Sequence, residues 1–225
     1  MEQERLLLHI CCAPDAAVPW PELLKEGFDA EGFFYGGNIH PREEYDKRAD
    51  ALRSLCAYIG AVAIFPDYET SSWFAATAEL KEEPERGRRC VVCFRLQLEA
   101  AACYAQAHGY THLSTTLTIS PHKDPVLINA IGREAAEKRG LVWVEKVWRK
   151  NNGFKKSVEE IKERADQSNE NIFYWQVASF LEASSDVPIE EVTRFLEQHP
   201  QGYRLGAEVF KILESTYIEK QAELI

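Results

Sequence analysis

Apolar runs and helical stretches take turns along the first two-thirds of the chain, and this alternation constrains the fold more than any other feature. LLLHICC (6–12), DAEGFFYG (29–36), AVAIFP (61–66), YTHLSTTLTIS (110–120) and LVWVEKVW (141–148) read as strands. Between them lie segments of helical period. DAAVPWPELLKEG (15–27) has Asp15 placed to cap it and Gly27 to end it. In 41–60, Pro41 suits the first turn, and Ala49, Leu52, Leu55, Cys56 and Ile59 share a face. A stretch around SSWFAATAEL and the segments 90–109 and 125–140 complete the set. Strands alternating with helices across short connections predict an α/β domain with a mostly parallel sheet. Ligands of such sheets collect at the carboxyl ends of strands, which singles out 9–15, 36–40 and 116–124. After about residue 150 only helical segments follow. The expected division is an α/β domain over 1–150 and a helical cap or extension over 151–225.

A chain of 225 residues and 25.7 kDa is long enough for one substantial core with a small appendage. MEQERLLLHICC puts charge before a brief apolar run, so no signal peptide is expected. No apolar run is long enough to span a bilayer. The expectation is a cytoplasmic protein with reduced thiols and no membrane partner. The sequence sets no oligomeric state. A formal charge of −10 argues, taken whole, against nucleic acid as a partner. The distribution of that charge weakens the objection: residues 159–225 hold fourteen acids against six Lys/Arg, whereas KVWRKNNGFKK (146–156) carries five cations and no acid. A second basic knot, Arg86, Arg88 and Arg89, abuts Cys90.

Four of the six cysteines form two close pairs, Cys11-Cys12 and Cys90-x-x-Cys93. Cys56 and Cys103 fall on apolar-looking helix faces and read as small buried hydrophobes. The CxxC spacing at a helix start is shared by redox dithiols, half zinc sites and half iron–sulfur sites. Neighbouring side chains of a strand point to opposite faces, so Cys11 and Cys12 reach one centre only if the chain turns there, and Ala-Pro-Asp supplies a turn. A cubane offers separate iron corners to adjacent thiolates, which favours a [4Fe–4S] cluster on Cys11, Cys12, Cys90 and Cys93. Structural zinc and unligated thiols are the alternatives. Asp15 is a candidate second-metal ligand, proton donor or helix cap.

Other polar groups gather at strand ends. YGGNIHPREEY (35–45) places Tyr35, Asn38 and His40 past the second strand, with His40 suited to acid, base or phosphate contact. STTLTISPHKD (114–124) ends in His122 and Lys123, a combination suited to phosphate or ribose. Arg149, Lys150, Lys155 and Lys156 beside Trp148 join cations to an aromatic, as where nucleic acid is gripped. Trp143 and Trp148 read equally well as core at the sheet edge. Ser157 reads as a helix cap, with Glu160 completing a capping box. No GxGxxG or GxxxxGK[ST] is present.

HICCAPD, FYGGNIHPREEY, EPERGRRCVVCF, STTLTISPHKD and GFKKS, in this order, resemble the segments of the epoxyqueuosine reductase family QueH over roughly residues 5–160. The resemblance implies a nucleotide α-hydrolase-like, Rossmann-like domain carrying a [4Fe–4S] cluster on Cys11, Cys12, Cys90 and Cys93, with Asp15 at an adjacent mononuclear iron. It implies reduction of the epoxide of a modified wobble nucleoside in tRNA to the alkene, fed by an external electron donor. The chain departs from the family pattern by lacking a late Tyr-Cys-Gly-Cys element; the comparable region reads NIFYWQVASFLEAS. Three readings follow: a divergent reductase of this kind, a cluster-dependent desulfurase or sulfur-transfer enzyme on a thionucleoside, and a non-catalytic metalloprotein that binds RNA or a partner.

Overall fold

The computed structural model describes residues 4–157 together with 159 and 160. The chain divides into two units between Ser157 and Val158, so the described residues belong almost wholly to the first. Most of the helical extension expected over 151–225 lies outside them.

Five parallel strands form one sheet in the order β3-β2-β1-β4-β5, with β1 at Arg5–Ile10, β2 at Asp29–Phe34, β3 at Ala63–Ile64, β4 at His112–Thr115 and β5 at Val142–Trp143. This is the Rossmann-like α/β arrangement that the alternation predicts. β1 is central because its residues suit both faces. Leu6, Leu8 and Ile10 pack on one side with Trp20, Leu23, Leu52 and Leu55, while Leu7 packs on the other with Ala101, Ala105, Leu113 and Ala135. The first group brings in α2 (Pro19–Lys25) and α3 (Arg42–Ile59), the second α5 (Arg88–Ala107) and α6 (Pro125–Glu137). Each fully buried leucine of β1 adds about 2 kcal/mol of apolar transfer.

Local chemistry sets the helix limits. Asp124 caps α6, its carboxylate accepting from the Val126 and Leu127 amides, and Pro125 follows in the first turn. Gly60 ends α3 in the left-handed conformation, φ 68°. The segment expected as one helix over 15–27 is two, α1 (Ala13–Ala16) and α2, the second opening at Pro19. A proline there cannot donate back into a continuing helix. α4 spans Ser71–Thr77 and runs into a short 3-10 turn.

Three strands are shorter than their apolar runs. β4 stops at Thr115 and bends into a 3-10 turn at Leu117–Ile119. The Val144 amide still donates to the Leu113 carbonyl (2.8 Å), and past it the bend interrupts the backbone ladder. Side chains take over: Ser114 Oγ donates to the Val144 carbonyl (2.9 Å), and Thr118 Oγ1 and Asn129 Nδ2 donate to that of Lys146 (3.0 and 3.2 Å). The run of 141–148 therefore pairs as β5 over only two residues. β3 likewise pairs through Ala63 and Ile64 alone, at the open edge.

Beyond β5, Trp148 is buried, its indole N–H donating to the Thr115 carbonyl (2.8 Å), and the Trp143 indole donates to Asn129 Oδ1 (3.1 Å). Both are core residues, and Trp148 offers no face for stacking a base. Asn151 and Asn152 adopt left-handed backbone, turning the chain into a helical stretch that starts at 153. Gly153 lies against the Trp148 carbonyl where a Cβ has no room. Ser157 lies inside this helical stretch and is buried, its hydroxyl bonded to the Pro14 carbonyl; it is not the helix cap that its sequence context predicts. Cys103 is exposed rather than buried, its sulfur accepting from Arg139 Nη2 at 3.0 Å, and Cys56 is half-buried.

Candidate metal centre

β1 has neighbours β2 and β4. The chain moves outward through β2 and β3, then returns to lay β4 on the opposite side of β1. That reversal opens a crevice at the carboxyl ends of β1 and β4, where ligands of such sheets sit. Cys11 and Cys12 stand there. β1 ends at Ile10, and Cys12, extended (φ −161°, ψ 164°), serves as N-cap of α1, so both thiols stand in the short link between strand and helix. Asp15, the third residue of α1, turns back to them. Its Oδ2 lies 2.5 Å from Cys11 Sγ, and the ligand atoms of Cys11, Cys12 and Asp15 all lie within 4.8 Å of one another. Asp15 does not cap the helix. It is 1% exposed, and its Oδ1 has no hydrogen-bond partner among the described residues. A buried carboxylate oxygen left open beside two thiols is a donor set that fits a thiophilic metal ion.

Three acidic groups in so small a space cannot all ionise. The Cys11 thiol is held well below the ordinary range, first by a bond from the Cys12 thiol, against the opposing effect of burial, and then by Lys123. Cys12, the donor in that bond and also buried, is pushed well up. Burial, and then the charge of Cys11, push Asp15 up as well. Lys123 Nζ stands 3.8 Å from Asp15 Oδ2. Burial alone would depress the ammonium, but Cys11, Asp15, Cys12 and Cys93 together outweigh it and raise its pKa. Arg48, paired with Glu44 at 2.6 Å, is a second cation whose ionisation Cys12 and Cys11 favour.

The second thiol pair reaches the same end of the sheet. α5 begins at Arg88, so Cys90 is in its first turn and Cys93 one turn on, on the same face. Cys11 and Cys90 both pack against the apolar cluster of Phe94, Leu98, Leu117, Ile128 and Ile131. Lys123 lies in the field of Cys93 as it does in that of Cys11 and Cys12. The set within 4.8 Å nevertheless contains Cys11, Cys12 and Asp15, not Cys90 or Cys93. Burial raises the Cys93 thiol, against the bond from Gln97 Nε2 to its sulfur (3.1 Å).

A cleft of about 520 Å³ opens beside Cys90. Val91, Phe94, Pro125 and Leu127 supply apolar wall; Arg86, His122, Lys123 and Arg149 supply polar and cationic groups. Arg149 Nη1 donates to the carbonyls of Pro121 (3.0 Å) and Lys123 (3.1 Å), holding the loop that carries Lys123. Arg86 Nη2 lies 3.1 Å from His122 Nδ1. Of the basic knot only Arg86 lines the cleft, since Arg88 pairs with Glu83 (2.6 Å) and Arg89 donates to the Lys81 carbonyl.

The remaining residues singled out in the sequence spread around this centre. Tyr35, just past β2, has its phenol pKa raised by burial and then by the charges of Cys93 and Glu69, so it belongs to the Cys93 side. Asn38 Oδ1 is buried without a partner among the described residues. His40 is exposed and packs on the rings of Trp73 (4.8 Å) and Phe74 (4.7 Å), outside the donor set of Asp15. Lys150, Lys155 and Lys156 are exposed. Sequence reasoning passes over His9, Arg48, Trp73 and Gln97. A histidine in an apolar strand, an arginine in a charged helix and a glutamine after CxxC each look ordinary until the fold brings them together.

A Rossmann-like sheet with half-buried thiols and a buried carboxyl at its switch point defines an α/β protein with a thiol-rich, metal-competent centre. The family model described as epoxyqueuosine reductase QueH matches residues 6–167. The chain belongs to that family. It is 37% identical over 156 residues to epoxyqueuosine reductase QueH of Haemophilus influenzae, covering 69% of this chain and 64% of that one. Identity with the protein of that name from Thermotoga maritima is 35% over 164 residues, with 70% and 82% covered. With that of Staphylococcus aureus it is 29% over 210 residues, with 87% and 85% covered. The chain thus spans slightly under two-thirds of the length of the Haemophilus relative and of a second from Histophilus somni. Among the described residues no helix is long and apolar enough to cross a membrane.

Proposed function

We propose that the chain is an iron–sulfur-dependent reductase, on a nucleotide α-hydrolase-like version of this fold, that converts the epoxide of epoxyqueuosine in the tRNA wobble position to the alkene. The observation that supports the reading is the donor set of Cys11, Cys12 and Asp15 at the switch point, with Cys11 and Cys90 packed on one apolar cluster and Lys123 in the field of Cys11, Cys12 and Cys93, in a chain of this family. Cys11, Cys12, Cys90 and Cys93 are the ligands for a [4Fe–4S] cluster, and Asp15 with its open Oδ1 is the ligand for a separate iron. When bound, the cluster supplies electrons one at a time and the separate iron supplies Lewis acidity. The reaction takes two electrons, from an external low-potential one-electron carrier, and two protons. Both epoxide C–O bonds break, a carbon–carbon double bond forms, and the oxygen leaves as water.

The chain's own groups prepare this chemistry. Val91, Phe94 and Leu127 give the cleft an apolar wall, which strengthens the charges set beside it. Lys123 presents an ammonium that keeps its proton, opposite negative charge developing on the departing oxygen. Arg149 fixes the loop on which that ammonium stands. Tyr35, Asn38, His122 and the exposed Lys150, Lys155 and Lys156 are the groups for nucleoside and RNA backbone. His40 contacts the substrate as acid or base from the aromatic rim.

Anaerobic purification followed by iron, zinc and sulfide analysis, with electron paramagnetic resonance of the reduced protein, tests the cofactor. The protein is then incubated with epoxyqueuosine-containing tRNA and a viologen reductant, and the digested nucleosides are weighed by mass spectrometry. The expected result is a cubane signal and loss of one oxygen from the modified nucleoside. Colourless protein with one zinc, or a cubane with no deoxygenation, overturns the reading; release of sulfide from a thionucleoside selects a sulfur-transfer enzyme instead.

A further inference from the structure

The cleft beside Cys90 has two polar rims. Glu85 and Arg86 stand on one, in the turn that precedes α5, and the loop from Pro121 to Asp124 forms the other. Arg86 is held on its rim in a strained backbone. Pro84–Gly87 is a turn closed by the Gly87 amide, which donates to the Pro84 carbonyl (3.0 Å), and Arg86 in its third position has φ 65°. Glycine or asparagine ordinarily fills that position, because a Cβ there crowds the adjoining carbonyl. The glycine of this turn is needed one residue later. At 87 a Cβ would lie 2.6 Å from Glu83 Oε2 and 2.8 Å from the Pro84 carbonyl oxygen. Arg86 therefore keeps its strain.

Nothing in the fold explains why an arginine should occupy this place. Arg88 is tied to Glu83 and Arg89 to the Lys81 carbonyl, but Arg86 is exposed and has no ion pair among the described residues. Its hydrogen bond reaches across the cleft to His122 Nδ1, at 3.1 Å. A guanidinium can only donate, so the imidazole accepts at Nδ1 and is neutral in this contact. Most of the N–H donors of Arg86 stay open. Of the acids at the cleft, Asp124 is committed to the first amides of α6 and Glu85 adjoins Arg86; Arg86, Lys123 and Arg149 outnumber them.

We propose that Arg86 is the phosphate-gripping residue of this cleft: its guanidinium takes a phosphodiester that flanks the modified nucleoside, and so sets which nucleotide of the RNA lies beside the thiols. A planar fork with open donors matches two oxygens of one phosphate, which a lysine ammonium cannot do. Such contacts fix the register of a nucleic acid without reading its bases. Strain at an arginine is kept where the side chain serves a ligand. The proposal deepens the reductase reading, on which the identity of the RNA rests; the grip itself needs no cluster.

Two variants test it on anaerobically purified protein. Arg86→Asn removes the guanidinium and supplies a residue that tolerates left-handed backbone; Arg86→Lys keeps the charge and loses the fork. Each is titrated with a synthetic anticodon stem-loop RNA, and with copies carrying a neutral methylphosphonate on one side or the other of the wobble nucleotide. Wild type is expected to lose about tenfold in affinity with one of these copies. Arg86→Asn should bind the unaltered RNA about tenfold more weakly and be indifferent to that methylphosphonate, and Arg86→Lys should recover little of the loss. The urea midpoint of Arg86→Asn should equal or exceed that of wild type, because the strain is gone. The proposal is overturned by an absence of RNA binding, by a methylphosphonate penalty that is missing in wild type or undiminished in Arg86→Asn, by full affinity in Arg86→Lys, or by a lowered midpoint. Coupling without deoxygenation of the nucleoside removes the reductase reading and leaves the grip; deoxygenation without coupling removes the grip alone.

Discussion

At Cys11, Cys12 and Asp15, three acidic groups share a space that accepts fewer than three negative charges, and metal binding is the natural relief. The prediction at this scale is selective. Cys12→Ser and Cys90→Ser abolish cluster retention after anaerobic reconstitution, whereas Cys56→Ser, altering a half-buried thiol away from the centre, keeps about four irons per chain. Equal iron loss in the Cys56 variant would show the ligands to be wrongly assigned. His9 gives a second expectation. Burial, and then the nearby Lys123, depress its pKa from 6.5 to about 3. Below about 6.5 the unfolded chain takes up a proton that the folded chain refuses. Stability is therefore lost as pH falls through that window, by about 1.4 kcal/mol per unit. Urea unfolding of metal-free His9→Phe should show a shallower pH slope than wild type between pH 6 and roughly 4; identical slopes refute this. HICCAPD is legible as a site because two adjacent thiols before Pro-Asp have no good packing reason. Asp15 fails as a cap because its buried partners come from the preceding strand end. The exposure of Cys103 is illegible because Ala100, Ala101 and Ala102 beside it make every side of that helix look apolar.

The elements are legible in kind and poorly so in length. All five strands and the helices between them are where periodicity puts them, but apolar residues continue past the last paired one in β3, β4 and β5. Pairing depends on a neighbouring backbone, which no run of valines reports; at Val144 and Lys146 side-chain donors replace it. α5 starts at Arg88 because Gly87 precedes it, two residues ahead of the expected position, which puts Cys90 inside the first turn. Close packing of α2 on β2 yields the prediction at this scale. A Cβ on Gly32 would lie 2.7 Å from the Trp20 ring, 2.8 Å from Ile10 Cδ1 and 3.1 Å from Ala63 Cβ. Trp20 is fully buried and pinned by its indole bond to the Ala30 carbonyl at 2.8 Å, so it has nowhere to move. Gly32→Ala should lower stability by about 1–3 kcal/mol in thermal or urea unfolding. A neutral result would mean the ring yields more readily than its bond implies.

At the scale of the molecule, the proposed reading asks an acidic chain of net charge −10 to meet RNA. Charge distribution makes room for that: cations line the cleft beside Cys90, and Lys155 and Lys156 are exposed on the helical stretch whose Ser157 is tied to the Pro14 carbonyl. Reversing both, Lys155→Glu with Lys156→Glu, should weaken tRNA binding and lower the slope of log affinity against log salt by about 2. An unchanged slope removes these lysines from the interface. The order of the sheet has one more consequence. Cys11 and Cys12 are made first, and residues 13–89 must follow before Cys90 exists. β4, which closes the second side of β1, comes later still. A nascent chain therefore carries two bare sulfurs at the tip of a half-walled strand for a little under half of its synthesis, so loading of the proposed four-thiol site must wait for translation to pass His112, and oxygen has that interval in which to spoil it.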